Sequence, residues 1–159
     1  MKNILFICTG NSARSIIAES IINNEYSNKF KAYSAGSNPT GKINEDVKRF
    51  LEKNKNYDLF EYRSKNFEDF LSNNIKIDYV VTVCNNANNE VCPIWPDKNQ
   101  IIHWDIEDPV SKLLNSNENE KNILINNTFN QINKNIIDWI SNEKIITKYL
   151  SVSLLVVVF

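Results

Sequence analysis

Excess charge of either sign is missing from this chain. Its 159 residues carry 18 lysines and arginines against 19 aspartates and glutamates, a formal net charge of −1. That balance argues against a nucleic-acid surface or a polybasic membrane contact, so no nucleic acid and no membrane is expected as a partner. A long hydrophobic run is missing too. The apolar end SVSLLVVVF is far short of the roughly 20 residues that span a bilayer. Cysteine occurs three times and histidine once. An odd cysteine count argues against a secreted disulfide framework and for a reducing, cytoplasmic setting in which thiols serve reactivity or packing. The first residues, MKNILFICTG, lack the apolar stretch of a signal peptide. Glycine is scarce, and the nucleotide-binding patterns GxxxxGKS and GxxxxGKT are absent. Asparagine is abundant but scattered, which is compositional bias and not a low-complexity tract.

What is present reads as one domain with one core. Residues 1–145 form it; residues 146–159 are set apart as an apolar tail with no structure assigned. Asn3–Cys8 (NILFIC) is an apolar run suited to a buried parallel strand. A helix follows over about 15–26, with Ile17 and Ile21, and Ala18 and Ile22, paired at i,i+4. KAYSAG, ending at Gly36, reads as a second strand and NPTGK as a loop. Asn44 caps a helix to about Lys53 that turns Val47, Phe50 and Leu51 inward. A short helix is expected near 66–71, a strand over Ile77–Cys84 and another over Ile101–Trp104, with a loop-like stretch between them. Ile125, Phe129, Ile132, Ile136 and Trp139 or Ile140 recur at helical spacing and predict a long amphipathic helix. The alternation predicts an α/β three-layer sandwich, with a four-stranded parallel sheet and helices on both faces joined by right-handed crossovers. Ligands bind such sheets beyond the carboxyl ends of the strands. Cys8 and Cys84 each end a predicted strand, so both fall on that edge.

The stretch FICTGNSARS carries the chemistry. Cys8 is followed by Thr9, Gly10, Asn11, Ser12 and Ala13, all small, and then by Arg14. Small residues let consecutive backbone N–H groups converge on one point and form a nest for an anion. Gly10 and Asn11 tolerate the unusual dihedrals this needs. The helix beyond adds its positive end, and Arg14 can grip two oxygens with its planar fork. The same field favours a thiolate at Cys8, and Ser15 is placed to give that sulfur a hydroxyl hydrogen bond. The blander alternative is a buried cysteine ending a strand and a surface arginine. The small residues, Ser15 and the helix weigh against it.

CTGNSARS followed by IIAE, the YSAGS at 33–37 and the Asp108–Pro109 pair together resemble the low-molecular-weight protein tyrosine phosphatase fold family. VCNNANNEVCPIWP at 83–96 and the His103–Trp104 pair are similar to its arsenate reductase branch in particular. The resemblance covers about residues 2–140. It implies that Cys8 is the nucleophile, that the backbone from Thr9 to Arg14 holds an arsenate or phosphate oxyanion, and that Asp108 is the general acid. It also implies that Asn11, Glu19 and Ser34 stiffen the loop. An Asp-Pro pair in a loop suits the acid role, because it fixes a carboxyl near the leaving oxygen.

Two reaction classes remain open on these residues. A phosphatase needs Cys8 alone, whereas an arsenate reductase of this kind passes oxidation from Cys8 to Cys84 and then to a Cys84–Cys92 disulfide, which a thioredoxin or glutaredoxin reduces. The segment between Cys84 and Cys92 is polar and free of proline, which suits a rearrangement that brings the two cysteines within disulfide reach. Packing, or a zinc site with His103, is the alternative use of those cysteines; a lone histidine supports it poorly. No metal and no cofactor is expected. Ala13 stands where some arsenate reductases carry another cysteine. Val110 and Ser111 follow the Asp-Pro pair where phosphatases of the fold place tyrosine, which weakens the tyrosine phosphatase reading. A non-catalytic oxyanion-binding module is the third class; Cys8, Arg14 and Asp108 together argue against it. His103 and Trp104 are expected at a strand end, as part of the site wall.

Overall fold

The computed structural model describes residues 1–85 and 101–156, with side chains described as far as residue 143. The elements are β1 (Lys2–Cys8), α1 (Arg14–Glu25), β2 (Phe30–Gly36), α2 (Glu45–Lys55), α3 (Glu68–Ser72), β3 (Tyr79–Thr82), β4 (Ile101–His103), α4 (Val110–Leu113) and α5 (Glu118–Val156). Among the described residues the strands form one sheet in the order β2-β1-β3-β4, with every neighbouring pair parallel. The carboxyl ends of all the strands therefore share one edge.

β1 lies inside that sheet, and its composition explains why. Ile4, Leu5, Phe6 and Ile7 are fully buried. Ile4, Phe6 and Cys8 face a large core shared with α1, α2, α4 and α5. Leu5 and Ile7 face a smaller cluster with Ala35, Phe70 of α3 and Val80. A strand covered on both sides has no polar face, hence the unbroken apolar run. Each such side chain contributes about 1.5–3 kcal/mol by leaving water.

α1 is less amphipathic than its i,i+4 pairs suggest: every residue from Arg14 to Ile22 is buried, polar ones included. It is wedged against the sheet and α5, and its first turn closes the anion loop. α2 follows expectation. The Asn44 side chain accepts from the N–H groups of Asp46 and Val47, and Val47, Phe50 and Leu51 point inward. α5 buries Ile125, Phe129, Ile132, Ile136 and Ile140. The Trp139 ring meets Phe30 and Tyr79 at centroid distances of 5.3 and 5.0 Å. The helical backbone of α5 runs on to Val156, into the stretch that the sequence set apart as a tail.

Two expectations need correction, and one element was missed. β3 stops at Thr82, not Cys84; Val83 still donates to the Ile7 carbonyl at 2.8 Å, but the paired ladder to β4 ends at Thr82 and His103. α4 was not expected, because a helix of four residues is too short to show a period. Trp104 is not among the residues lining the cleft over Cys8. Its ring packs on Phe6, 5.9 Å between centroids, as part of the core flank.

Candidate active site

Cys8 ends β1, and the chain then curls through Thr9–Ala13 before α1 begins. Four carbonyls of this curl are bound from outside by one neighbouring loop. Ser37 N–H donates to Cys8 O (3.1 Å), and Asn38, Thr40 and Asn44 N–H groups donate to Thr9, Gly10 and Ser12 O (each 2.9 Å). In a trans peptide the next N–H points opposite to the carbonyl. Binding those carbonyls outward therefore turns the N–H groups of Thr9, Gly10, Asn11 and Ala13 the other way. For Asn11 this is seen directly: its N–H donates to the Cys8 sulfur at 3.2 Å. Asn11 manages the turn with φ at 45°, a left-handed geometry that asparagine tolerates.

The curl is held from behind by a chain of side chains, all buried. Asn11 Nδ2 donates to Ser15 Oγ at 2.8 Å and to Ser34 Oγ at 2.9 Å. Ser34 Oγ donates to Glu19 Oε2 at 2.5 Å. Ser15 Oγ lies 3.0 Å from Cys8 Sγ. Because Ser15 oxygen already accepts from Asn11, its proton is available to the sulfur, and a thiolate at Cys8 would accept from both Ser15 and Asn11. Burial pushes Glu19 above its ordinary range, opposed by the Lys65 charge and the Ser34 bond.

α1 starts at Arg14; Ala13 before it gives no side-chain cap, and the first turn has no acidic residue. Its first N–H groups and its positive end thus face the cup without an internal anion. Arg14 is fixed by a 3.0 Å bond from Nη1 to the carbonyl of Ile106. Its Nη2 lies 3.7 Å from Asp108 Oδ2. Asp108 also accepts from the Val110 N–H at 3.2 Å. Cys8, Thr9, Gly10, Ser12, Ala13, Arg14 and Asp108 line one cleft, together with Asn38, Thr40 and Val110.

All the residues expected at the oxyanion site come together in this way: Cys8 and Thr9–Ser15 in the loop, Asp108 across the cleft, and Glu19 and Ser34 behind. Cys84 is buried two residues past β3, beside β1 at the same edge, where its carbonyl accepts from Ile106 N–H at 3.4 Å. Cys92 lies outside the described residues. His103 Nδ1 is 2.8 Å from Thr82 Oγ1 at the end of β4. Among the described residues no group of three or more His, Cys, Asp or Glu side chains is placed to hold a metal ion. Among them, too, no helix is long and apolar enough to cross a membrane.

Sequence reasoning missed the buttresses. NPTGK, residues 38–42, read only as a loop and Asn44 only as a helix cap, yet the N–H groups of Ser37, Asn38, Thr40 and Asn44 orient the cup. Lys65 escaped notice altogether. Its N–H donates to Asn11 Oδ1 at 2.7 Å, and its carbonyl accepts from Gly36 N–H at 2.8 Å. One signal was available: a Cβ at Gly36 would stand 2.5 Å from the Thr9 carbonyl, so the glycine ending β2 marks close backbone approach.

The family model for low molecular weight phosphotyrosine protein phosphatase matches residues 3–149. The chain belongs to that family. An arsenate reductase of Bacillus cereus (strain 03BB102) is 36% identical over 111 residues, covering 70% of this chain and 79% of its own. The crystal structure of an arsenate reductase from Archaeoglobus fulgidus is 27% identical with a TM-score of 0.64, over 82% of this chain and 96% of its own. A thioredoxin-dependent arsenate reductase of Corynebacterium glutamicum, at 22% identity and a TM-score of 0.57, covers 87% of this chain and 61% of its own, and speaks for the fold alone.

Proposed function

We propose that this member of the low molecular weight phosphatase family is an arsenate reductase that works through Cys8, Cys84 and Cys92. The observation that carries the reading is a second buried thiol, Cys84, two residues beyond β3, the strand paired with β1, at the edge that holds the anion cup. The B. cereus and A. fulgidus relatives, both named arsenate reductases, support it.

The cup N–H groups and Arg14 hold arsenate with its arsenic facing Cys8 Sγ. The Cys8 thiolate forms a sulfur–arsenic bond as the arsenic–oxygen bond to an arsenate hydroxyl breaks, the hydroxyl leaving as water with a proton from Asp108. The Cys84 thiolate then attacks Cys8 Sγ. A sulfur–sulfur bond forms, the sulfur–arsenic bond breaks, and its electron pair stays on arsenic, which departs as arsenite. Cys92 attacks Cys84 Sγ, releasing Cys8 as thiolate and leaving the Cys84–Cys92 disulfide. Two thiols have been oxidised and arsenic has gained two electrons. An external dithiol, a thioredoxin or glutaredoxin in a reducing cytoplasmic compartment, restores the pair; thioredoxin is the reductant named for the C. glutamicum neighbour. Cys84 and Cys8 are both buried, so the thiol relay starts out of contact with bulk water.

The second reading is phosphomonoester hydrolysis, in which water replaces Cys84 as the group that attacks the Cys8 adduct. It is favoured by the cleft itself, since a cup of N–H groups, Arg14 and Asp108 serves phosphate as well as arsenate. Val110, which lines the cleft, offers an aryl group little to stack on. The test is arsenate-dependent oxidation of thioredoxin, or of glutathione and glutaredoxin, by Cys8→Ser, Cys84→Ser and Cys92→Ser. All three should lose multiple turnover, and only Cys8→Ser should lose aryl phosphate hydrolysis. Normal arsenate turnover by Cys84→Ser and Cys92→Ser would transfer the assignment to the phosphatase.

A further inference from the structure

Behind the cup a buried carboxylate meets a partly exposed ammonium. Glu19, on α1, is 7% exposed. Lys65 Nζ sits 3.8 Å from Glu19 Oε2 and donates to the Arg63 carbonyl at 2.9 Å. Burial pushes Lys65 down and Glu19 up, and each charge opposes the other's shift. The other groups bearing on the pair are Lys31 and Ser34 from β2 and Tyr62 and Arg63 from the stretch before Lys65. Glu19 in turn is the last acceptor of the chain Asn11 to Ser34 to Glu19.

A carboxylate at that place has two effects of opposite value. As an acceptor with no proton to give, it fixes the direction of every bond back to Asn11, whose other N–H fixes Ser15. As a negative charge behind the loop, it opposes both a thiolate and an oxyanion. Protonating Glu19 would remove the charge but would also free Ser34 to turn.

We propose that Lys65 is a positioning residue for the oxyanion site: its ammonium balances Glu19, so that the carboxylate orders Ser34, Asn11 and Ser15 without adding net negative charge behind the cup. Its main chain serves the same loop, since the Lys65 N–H holds Asn11 Oδ1. The role is the same whether the bound oxyanion is arsenate or phosphate, and it is read on Cys8 alone.

The experiment measures alkylation of Cys8 by iodoacetamide at neutral pH, followed by peptide mass spectrometry, and the inorganic phosphate concentration that halves the rate. Lys65→Met keeps the stem and the main-chain bonds but removes the charge. It should slow alkylation and weaken phosphate protection by about tenfold each, the scale of one unbalanced, partly buried charge. Lys65→Arg should stay within about threefold of the parent. The deciding chain is Glu19→Gln with Lys65→Met. Its amide oxygen still accepts from Ser34 and no charge is left unbalanced, so it should recover most of what Lys65→Met loses. The proposal is overturned if Lys65→Met behaves as the parent, if Lys65→Arg falls with it, or if the double variant is slower than Lys65→Met.

Discussion

Two helices begin within a hydrogen bond of each other and treat their first turns in opposite ways. α2 satisfies itself: Asn44 Oδ1 accepts from Asp46 and Val47 N–H at 3.0 and 3.2 Å, and Glu45 and Asp46 supply negative charge to the positive end. α1 begins at Arg14, after Ala13, without a side-chain cap or an acid, and opens onto the cleft over Cys8. An asparagine governs each start. Asn44 is extended and turns its side chain onto its own helix; Asn11 is left-handed and ties its side chain to Ser15, Ser34 and Lys65. The two starts are linked, since Asn44 N–H donates to Ser12 O. A helix start serves stability when the protein fills it, and serves binding when the framework is tied elsewhere and the start is left for an outside anion.

The largest break in that comparison is Asn11→Ala. Three side-chain hydrogen bonds disappear, at about 1 kcal/mol each, and alanine at a left-handed φ costs about 1 kcal/mol more. Urea unfolding should show a loss of about 3–4 kcal/mol, and Cys8 alkylation should slow more than tenfold because Ser15 is no longer aimed. Next comes Ser12→Asp, which gives α1 the internal anion that α2 already has. Phosphate protection of Cys8 should weaken by about thirtyfold, some 2 kcal/mol for a carboxylate at a partly buried helix start. Ser12→Asn, of similar size and uncharged, should weaken it by no more than about threefold. Equal effects of the two variants would mean that shape, not charge, governs the cup.

Asn44→Ala sharpens the contrast from the other side. Losing the cap should cost about 1 kcal/mol in urea unfolding. The Asn44 N–H, which steadies Ser12, survives in alanine, so phosphate protection should be unchanged. A binding loss as large as the stability loss would show that the two starts are not separable.

The contrast was half legible in the sequence. NILFIC, the Asn44 cap and the run of small residues from Thr9 to Ala13 each carry a local signal, and β1, α2 and the anion loop follow from them. The buttresses do not, because they are pairings between irregular segments. Nothing periodic links 37–44 to 8–12, or Lys65 to Asn11, and only contact across the sheet edge reveals them. The end of β3 was misjudged for a related reason: β-branched residues continue to Val83, but pairing with β4 stops at Thr82. α1 looked amphipathic because Ile17 and Ile21 repeat, while its polar residues Arg14, Ser15 and Glu19 are buried for the loop's sake. The family resemblance supplied Glu19 and Ser34, whose spacing alone says nothing.

The smallest expected effect concerns where each helix keeps its acid. In α2 the acids stand in the first turn; in α1 the one acid beside the loop, Glu19, lies further in and is buried. Its burial raises it above the ordinary 4.5 of a glutamate. Between that value and the raised one, the folded chain keeps a proton that the unfolded chain has released. The folded state then binds more protons, so unfolding free energy falls as pH rises through the window and levels off above it. Lys65 is lowered from 10.5 by burial; between its lowered value and 10.5 the unfolded chain binds more protons, so its own contribution makes stability rise with pH there. Urea midpoints from about pH 4 to 7 should therefore decline more steeply in the parent than in Glu19→Gln, by an amount set by how far Glu19 is raised. Parallel curves would mean that Lys65 and Ser34 cancel the burial completely, and that α1 holds its inner carboxylate as cheaply as α2 holds its outer ones.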